Sequence, residues 1–467
     1  MKKAFFWVVL WMVFLVKGVW LLDPDLGWHL RMGETIVKSG IPLTDPFSYT
    51  MPTFAAVGNE WLNNVVEYLI YGRWGKAGLA VVWASMAVAA IALVLPGKAR
   101  NWAVVPILLA LGTLVGLGGV RAQVIDWLML AATMRLWENG KRWMLPALFG
   151  LWANAHGAFG LGPVVLGILM AAKVWRNKKI DVGDAGVWIL GVVATLVNPW
   201  GVRLWGEVWA AISDGSLKWT VAEWRPFWAT TPWIGVAMLA AGAGMTWWKF
   251  GSREMAGQVA AAAIVGIMAV GGVRHTGLFA LAAVPVMAEG LRGFKDKVRN
   301  EVEDRWEKFY KLLVVMAVLV AGVETAVGLT AAWGLREEKF YPKAAISWLK
   351  TNPGKGRVFT DYGWGGYVLW KMPEEKVFID GRMATWKGGV FSTYLMIVGR
   401  KEDFAPVFDK YGVDTVLWPK RTIEEPKIVW GIKWGKEKEE FPLALELEKR
   451  GWVRIYEDDV SLIYRRI

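Results

Sequence analysis

The sequence predicts a multi-pass α-helical membrane protein of about 11 transmembrane helices ending in a small α/β domain. Three observations carry this. Of 467 residues, 55% are hydrophobic without counting the 52 glycines, and the mean hydropathy is +0.33. Ordinary soluble domains reach about 45–50% with glycine included. Apolar runs of about 15–22 residues, long enough to cross hydrocarbon, follow one another up to residue 335. Composition then turns ordinary: 30 basic and 21 acidic residues precede Arg336, and 24 basic and 20 acidic residues follow from there on. The domain boundary is therefore set at 1–335 and 336–467. The chain has no Cys and only three His, which excludes a disulfide scaffold and a thiolate nucleophile and leaves little room for a His/Cys zinc site.

Spans are predicted near 4–22, 77–96, 102–119, 124–138, 143–154, 158–175, 184–199, 231–248, 255–272, 276–291 and 311–334, the 124–138 and 143–154 pair being short. Lys2 and Lys3 precede the first span, but no small-residue cleavage site precedes Asp23, so this span is read as retained. With a cytoplasmic N-terminus, the inner segments hold 18 of the 30 basic residues before Arg336 and the outer loops hold seven. That bias is positive-inside, and an odd number of spans places the C-terminal domain outside an integral plasma-membrane protein. The net charge of +13 thus mainly orients the chain and does not argue for nucleic acid. Many of the 33 Trp residues, Trp20, Trp61, Trp102 and Trp200 among them, fall at span ends, as in an aromatic belt facing membrane lipids.

The first outer loop, 23–62, is long for a connection and carries a helix-like stretch at 28–38, so it is read as folded. It opens with Asp23-Pro24-Asp25. Two carboxylates so close repel unless a cation or proton is shared. Such a pair can supply a general base, or hold a divalent cation (Mg or Mn) beside a substrate phosphate; a solvated helix cap is the plainer alternative. His29 and Arg31 follow in the same loop, and Glu60 lies at its end. His156, after Asn154, is at the turn between the fifth and sixth spans, and His275 follows Arg274 at the end of the ninth. The predicted topology puts all three histidines on the outer side, together with Arg121 and the Glu223-Trp224-Arg225 run. Polar groups gathered at a membrane face usually mark a site. Lys17 is read as snorkelling or pairing with an anion, and Asp126 and Glu324, inside spans, receive no role.

The last part alternates helices and short apolar strands. A helix at 341–350 precedes a strand at 357–360, and the Asp361-Tyr362-Gly363-Trp364 turn follows. A second strand, 377–380, ends at Gly381-Arg382. Helices at 403–411 and 443–450, a strand at 415–417 and a hairpin of 452–456 and 461–464 complete an α/β domain. Turns after strands are where open α/β sheets bind ligands, which makes Asp361, Tyr362, Trp364 and Arg382 binding candidates.

These residues resemble the GT-C superfamily of integral-membrane glycosyltransferases. The run Asp23-Pro24-Asp25 through His29-Leu30-Arg31, with Asp45-Pro46-Phe47 after it, is similar to the first outer loop of oligosaccharyltransferase catalytic subunits. Asn154…His156-Gly157, Asn198-Pro199, Arg274 and Tyr362-Gly363-Trp364-Gly365-Gly366-Tyr367 extend the likeness over nearly the whole chain. The resemblance implies transfer of a sugar from a polyprenyl-phosphate donor to a glycan, lipid or protein acceptor on the outer membrane face. It makes Asp23 or Asp25 the general base, with Glu60 as a second candidate. Arg121 and Arg274, with His29 or His156, would stabilise the departing phosphate. The substrate-binding set is completed by Arg31, Asn154, His275, Asp361, Tyr362, Trp364 and Arg382. Two departures bear on the oligosaccharyltransferase version. The loop at 118–123 has no second carboxylate, and Phe359-Thr360-Asp361-Tyr362-Gly363 keeps Asp-Tyr-Gly without the two tryptophans of that family's acceptor motif. A transporter or flippase is the non-enzymatic alternative; it predicts an internal repeat and polar groups at mid-membrane, and neither is evident.

Overall fold

A computed structural model describes the chain except residues 1, 56, 96, 98, 216, 230–232, 251–252, 299–302, 387–388, 400–402, 421–427, 430–431, 434–441 and 467. The first two residues of the span expected at 231–248 lie outside the described residues. The chain forms two compact units. One, here the helical unit, comprises Met1–Leu21, Val57–Asn63 and Ile70–Trp333; the other, the sheet unit, comprises Leu22–Ala56, Asn64–Leu69 and Gly334–Ile467.

In the helical unit the apolar runs form helices, because a backbone in hydrocarbon has to satisfy its own N–H and C=O groups. Among the described residues, five helical stretches are long and apolar enough to cross a membrane: Trp61–Leu93, Gly157–Asn177, Arg253–Gly271, Val273–Lys297 and Trp306–Gly334. Ala4–Trp20, Val104–Leu117 and Val182–Ala194 are apolar but shorter. The helix expected at 77–96 starts already at Trp61, with a break at Gly75, where φ is 61°. Val315, Leu319 and Val323 stand exposed on the Glu303–Gly334 helix, as expected of an integral membrane chain whose solvent is lipid. Two charged side chains inside the spans make polar contacts with backbone. Lys17 Nζ donates to the carbonyl of Gly328 at 3.0 Å, and Glu324 accepts the Gly235 N–H at 2.9 Å.

Among its described residues the sheet unit has six strands: β1 (Arg357–Thr360), β2 (Val413–Pro419), β3 (Ile428–Val429), β4 (Ile432–Lys433), β5 (Trp452–Glu457) and β6 (Ser461–Arg466). Four make a sheet ordered β1-β2-β6-β5; β1 and β2 are parallel and the other pairs antiparallel. The strands expected at 357–360 and 415–417 and the terminal hairpin are present. The strand expected at 377–380 lies outside this sheet. Val377 pairs instead with Ser48 in a parallel bridge, with Tyr49 N–H on Val377 O at 3.1 Å and Val377 N–H on Phe47 O at 3.0 Å. The reason is burial: Asp45, Ser48 and Tyr49 sink into the unit, and Tyr49 shares its core with Phe359, Phe378 and Trp418.

Within this unit the Leu26–Ser39 helix packs on the short Gly365–Lys371 helix. The approach is backbone to backbone: a Cβ on Gly27 would lie 2.2 Å from Gly366 O. Glycine at both positions is what lets the two helices meet.

Candidate functional site

In the sheet unit the Asp23-Pro24-Asp25 turn resolves into two different carboxylates. Asp23 is buried, and its Oδ1 accepts the Asp25 N–H at 3.0 Å, an Asx turn that shapes the entry to the Leu26–Ser39 helix. Asp25 is half-buried. Its Oδ1 accepts the Trp28 indole N–H at 2.8 Å and lies so near Gly381 that a Cβ there would be 1.9 Å from it. The Tyr362 hydroxyl donates to Gly381 O at 3.1 Å. Burial, together with the Asp25, Asp380 and Asp361 carboxylates, pushes the Tyr362 phenol well above its usual range, so it stays protonated.

Arg382 is buried and held by two carboxylates. Its guanidinium forks onto Asp380, with Nε on Oδ1 at 2.8 Å and Nη2 on Oδ2 at 2.5 Å, and Nη1 reaches Asp45 Oδ1 at 3.0 Å. Burial alone lowers the pKa of a guanidinium, but here Asp380 and Asp45 outweigh it and hold the charge in place. Arg382 therefore pins the 45–48 segment to the Asp380-Gly381 turn that touches Asp25.

The other sheet-unit candidates sit around this turn or in the core. His29 Nδ1 is 2.5 Å from Asn64 Oδ1, and its ring stacks on Trp28 at 3.7 Å between centroids. Arg31 pairs with Glu34 at 2.7 Å and donates to Pro373 O at 3.1 Å. It also lines an open cleft of about 520 Å³ with Lys38, Phe47, Glu374 and Lys376; Asp25 does not line that cleft. Asp361 accepts the Gly363 N–H at 2.9 Å, capping the turn that carries Tyr362. Trp364 has no exposed surface and donates its indole N–H to Phe340 O at 2.9 Å, as a core residue does.

The helical unit holds a second cluster. His156 breaks the chain between two helices with φ −160° and ψ 153°. Its Nδ1 lies 2.6 Å from Asp126 Oδ2, and its Nε2 lies 3.3 Å from Glu60 Oε1. Asp126 also accepts the Trp152 indole N–H at 2.7 Å. Burial alone would lower the His156 pKa; the Asp126 and Glu60 carboxylates overcome this and raise it to about 10. Asn154 accepts the Trp61 indole N–H at 2.9 Å and donates to Gly150 O and Val197 O. Arg121 is paired with Glu223, which also accepts from Gln123 at 3.1 Å. The Arg274 guanidinium lies 4.7 Å from the centre of the Trp224 ring. His275 is within electrostatic reach of His156.

Sequence reasoning gave no role of their own to Asp126, Asp380 and Asp45, and named Glu223 among the outer polar groups without pairing it with Arg121. Asp380 and Asp45 each follow an apolar or Pro/Thr turn run that gave no sign of a shared arginine. Asp126, a carboxylate inside a predicted span, was the one available signal, since such a group needs a partner.

Asp23 Oδ1 and Asp25 Oδ1 each already accept an N–H, and among the described residues no group of three or more His, Asp or Glu is placed to hold a metal.

No family model matches the chain, and no curated protein sequence matches it. Solved structures do. The archaeal oligosaccharyltransferase AglB from Archaeoglobus fulgidus, in complex with an inhibitory peptide and a dolichol-phosphate, matches at 12% identity with a TM-score of 0.54, over 89% of this chain and 70% of that one. The apo form of the Archaeoglobus fulgidus oligosaccharyltransferase gives 12% and 0.55, over 88% and 69%. ArnT from Cupriavidus metallidurans, bound to undecaprenyl phosphate, gives 12% and 0.53, over 100% of this chain and 98% of that one. The chain thus shares the fold of these oligosaccharyltransferase and ArnT structures.

Proposed function

We propose that the chain is an integral-membrane glycosyltransferase that moves a sugar from a polyprenyl-phosphate donor to an acceptor hydroxyl on the outer membrane face. The observation that carries this reading is the Asp25 carboxylate, half-buried and oriented by Trp28, on a fold whose solved examples include proteins bound to dolichol-phosphate and undecaprenyl phosphate. The topology that goes with it has the N-terminus cytoplasmic and the C-terminal domain outside, with about 11 spans in all.

Asp25 is the general base and Asp23 shapes its turn. The acceptor O–H gives its proton to the Asp25 carboxylate as the oxygen attacks the anomeric carbon. The bond from that carbon to the phosphate oxygen breaks, and its electron pair leaves on the polyprenyl phosphate. Attack from the face opposite the leaving group inverts the anomeric centre. Arg121 and Arg274 neutralise the charge that develops on the phosphate. Asp25→Asn in isolated membranes should lower transfer by about 100-fold or more, within the range of general-base catalysis. Asp23→Asn should cost less, since it removes only the turn contact. Full transfer by both variants and by the double variant would refute the mechanism.

Transfer of an oligosaccharide to protein is the second reading, supported by the likeness to AglB with its inhibitory peptide. It requires glycosylated asparagines in secreted proteins of the host; transfer confined to a lipid or free glycan would exclude it.

A further inference from the structure

The helical unit contains a line of charges that the mechanism above does not use. It runs from Trp152 to Asp126 to His156 to Glu60, with contacts of 2.7, 2.6 and 3.3 Å. Exposure rises only at its end: the Asp126 and His156 side chains are 4% and 3% exposed and Glu60 is 18%. Both flanks of Glu60 are fixed. Trp61 is bonded to Asn154, and a Cβ on Gly58 would lie 3.1 Å from the Trp200 ring. Two half-buried indoles, Trp61 next in the chain and Trp200 against Gly58, thus flank the segment that carries this carboxylate. An acceptor carboxylate among aromatic planes suits a sugar, which offers hydroxyl donors at its edge and an apolar face to a ring.

We propose that Glu60 binds a sugar hydroxyl, and that Asp126 and His156 are positioning residues that hold its carboxylate in place. This rests on the glycosyltransferase reading for the identity of the ligand but not for the behaviour of the histidine. The groups facing His156 are Asp126 from the Gln123–Glu138 helix, Glu60 before the Trp61–Leu93 helix, and His275 beside Arg274. Two anions against one imidazolium leave the line with a net negative charge, and the histidine is a clamp on Glu60 that can itself titrate. A pKa raised by its partners means the clamp is intact below it and released as pH rises through it. Removing Asp126 takes away one of the two anions and brings that release to lower pH.

The test is NMR on the ¹⁵N-histidine-labelled full chain in nanodiscs, where only three histidines report. Wild-type His156 should stay protonated to about pH 10, and in Asp126→Asn its midpoint should fall by about one pH unit or more, a loss of roughly 1.4 kcal/mol. Asp126→Glu should restore it, which separates a positioning role from a merely structural one. Added undecaprenyl-phosphate hexose should shift the His156 signal where undecaprenyl phosphate alone does not, and Glu60→Gln should abolish that shift. If a free oligosaccharide produces the shift instead, Glu60 reads the acceptor and not the donor. A histidine midpoint unmoved by Asp126→Asn overturns the positioning role. A sugar shift that persists in Glu60→Gln, or no shift with either sugar, overturns the binding role. The titration is read without turnover, so failure of the transferase reading is seen separately, as absence of transfer from every donor.

Discussion

The Trp28 indole N–H donates to Asp25 Oδ1 at 2.8 Å, one helical turn along from the carboxylate it holds. The bond fixes one oxygen and leaves the orientation of the other determined. Replacing the indole by a ring without N–H removes that restraint while keeping most of the packing. Trp28→Phe should lower kcat about tenfold, the worth of one hydrogen bond to a charged group, with little change in donor KM. Steady-state transfer at saturating acceptor would read the split. An unchanged kcat would remove Trp28 from the orientation of the base.

Arg121 is held by Glu223, while Trp224, the next residue, stacks on Arg274. One short turn thus engages both cations assigned to the departing phosphate, and Glu223 stands where a second anion would compete. In Glu223→Gln the competing charge is gone and the shape is nearly kept. Donor KM should fall roughly threefold to tenfold, about 1 kcal/mol, with the gain shrinking at high salt. A KM that stays the same or rises would mean that Glu223 orients Arg121 and does not compete for it.

Arg382 is the shared partner of Asp380 and Asp45, both almost without exposed surface. Arg382→Leu leaves two buried carboxylates uncompensated, and breaking such an arrangement costs about 3–5 kcal/mol. Protease resistance of the sheet unit should fall while the helices keep their circular dichroism. Retained resistance would show that the pin carries little of the stability.

Much of this arrangement is legible in the sequence, and the failures have physical causes. β2 and the terminal hairpin of β5 and β6 were found because their residues make short apolar runs bounded by turns. Val377 misled because its partner, Ser48, comes from a segment more than 300 residues earlier, and nothing local in Val377-Phe378-Ile379 distinguishes a sheet strand from a bridge. The helix at Gly365–Lys371 was hidden by its glycines, which read as a loop, though Gly366 is there for the approach of Gly27 and Gly365 for that of Ile379. His156 was singled out for its position between spans. Its ion pair with Asp126 was not foreseen, because it joins the turn at His156 to a separate helix with no common periodicity. Pairings between elements, unlike elements, leave no local trace.

The sheet unit is assembled from pieces of chain made far apart in time. Leu22–Ala56 leaves the ribosome before the helical unit is complete, and its partner begins only at Gly334. The intervening stretch is roughly 280 residues, so at about 5–20 residues per second the early segment waits about 15–55 s for its partner. Through that interval Asp45, Ser48 and Tyr49 lack the strand and the arginine that bury them. Biogenesis therefore has a window in which this segment is exposed, and during it a nascent chain is open to chaperones and proteases that the finished protein excludes.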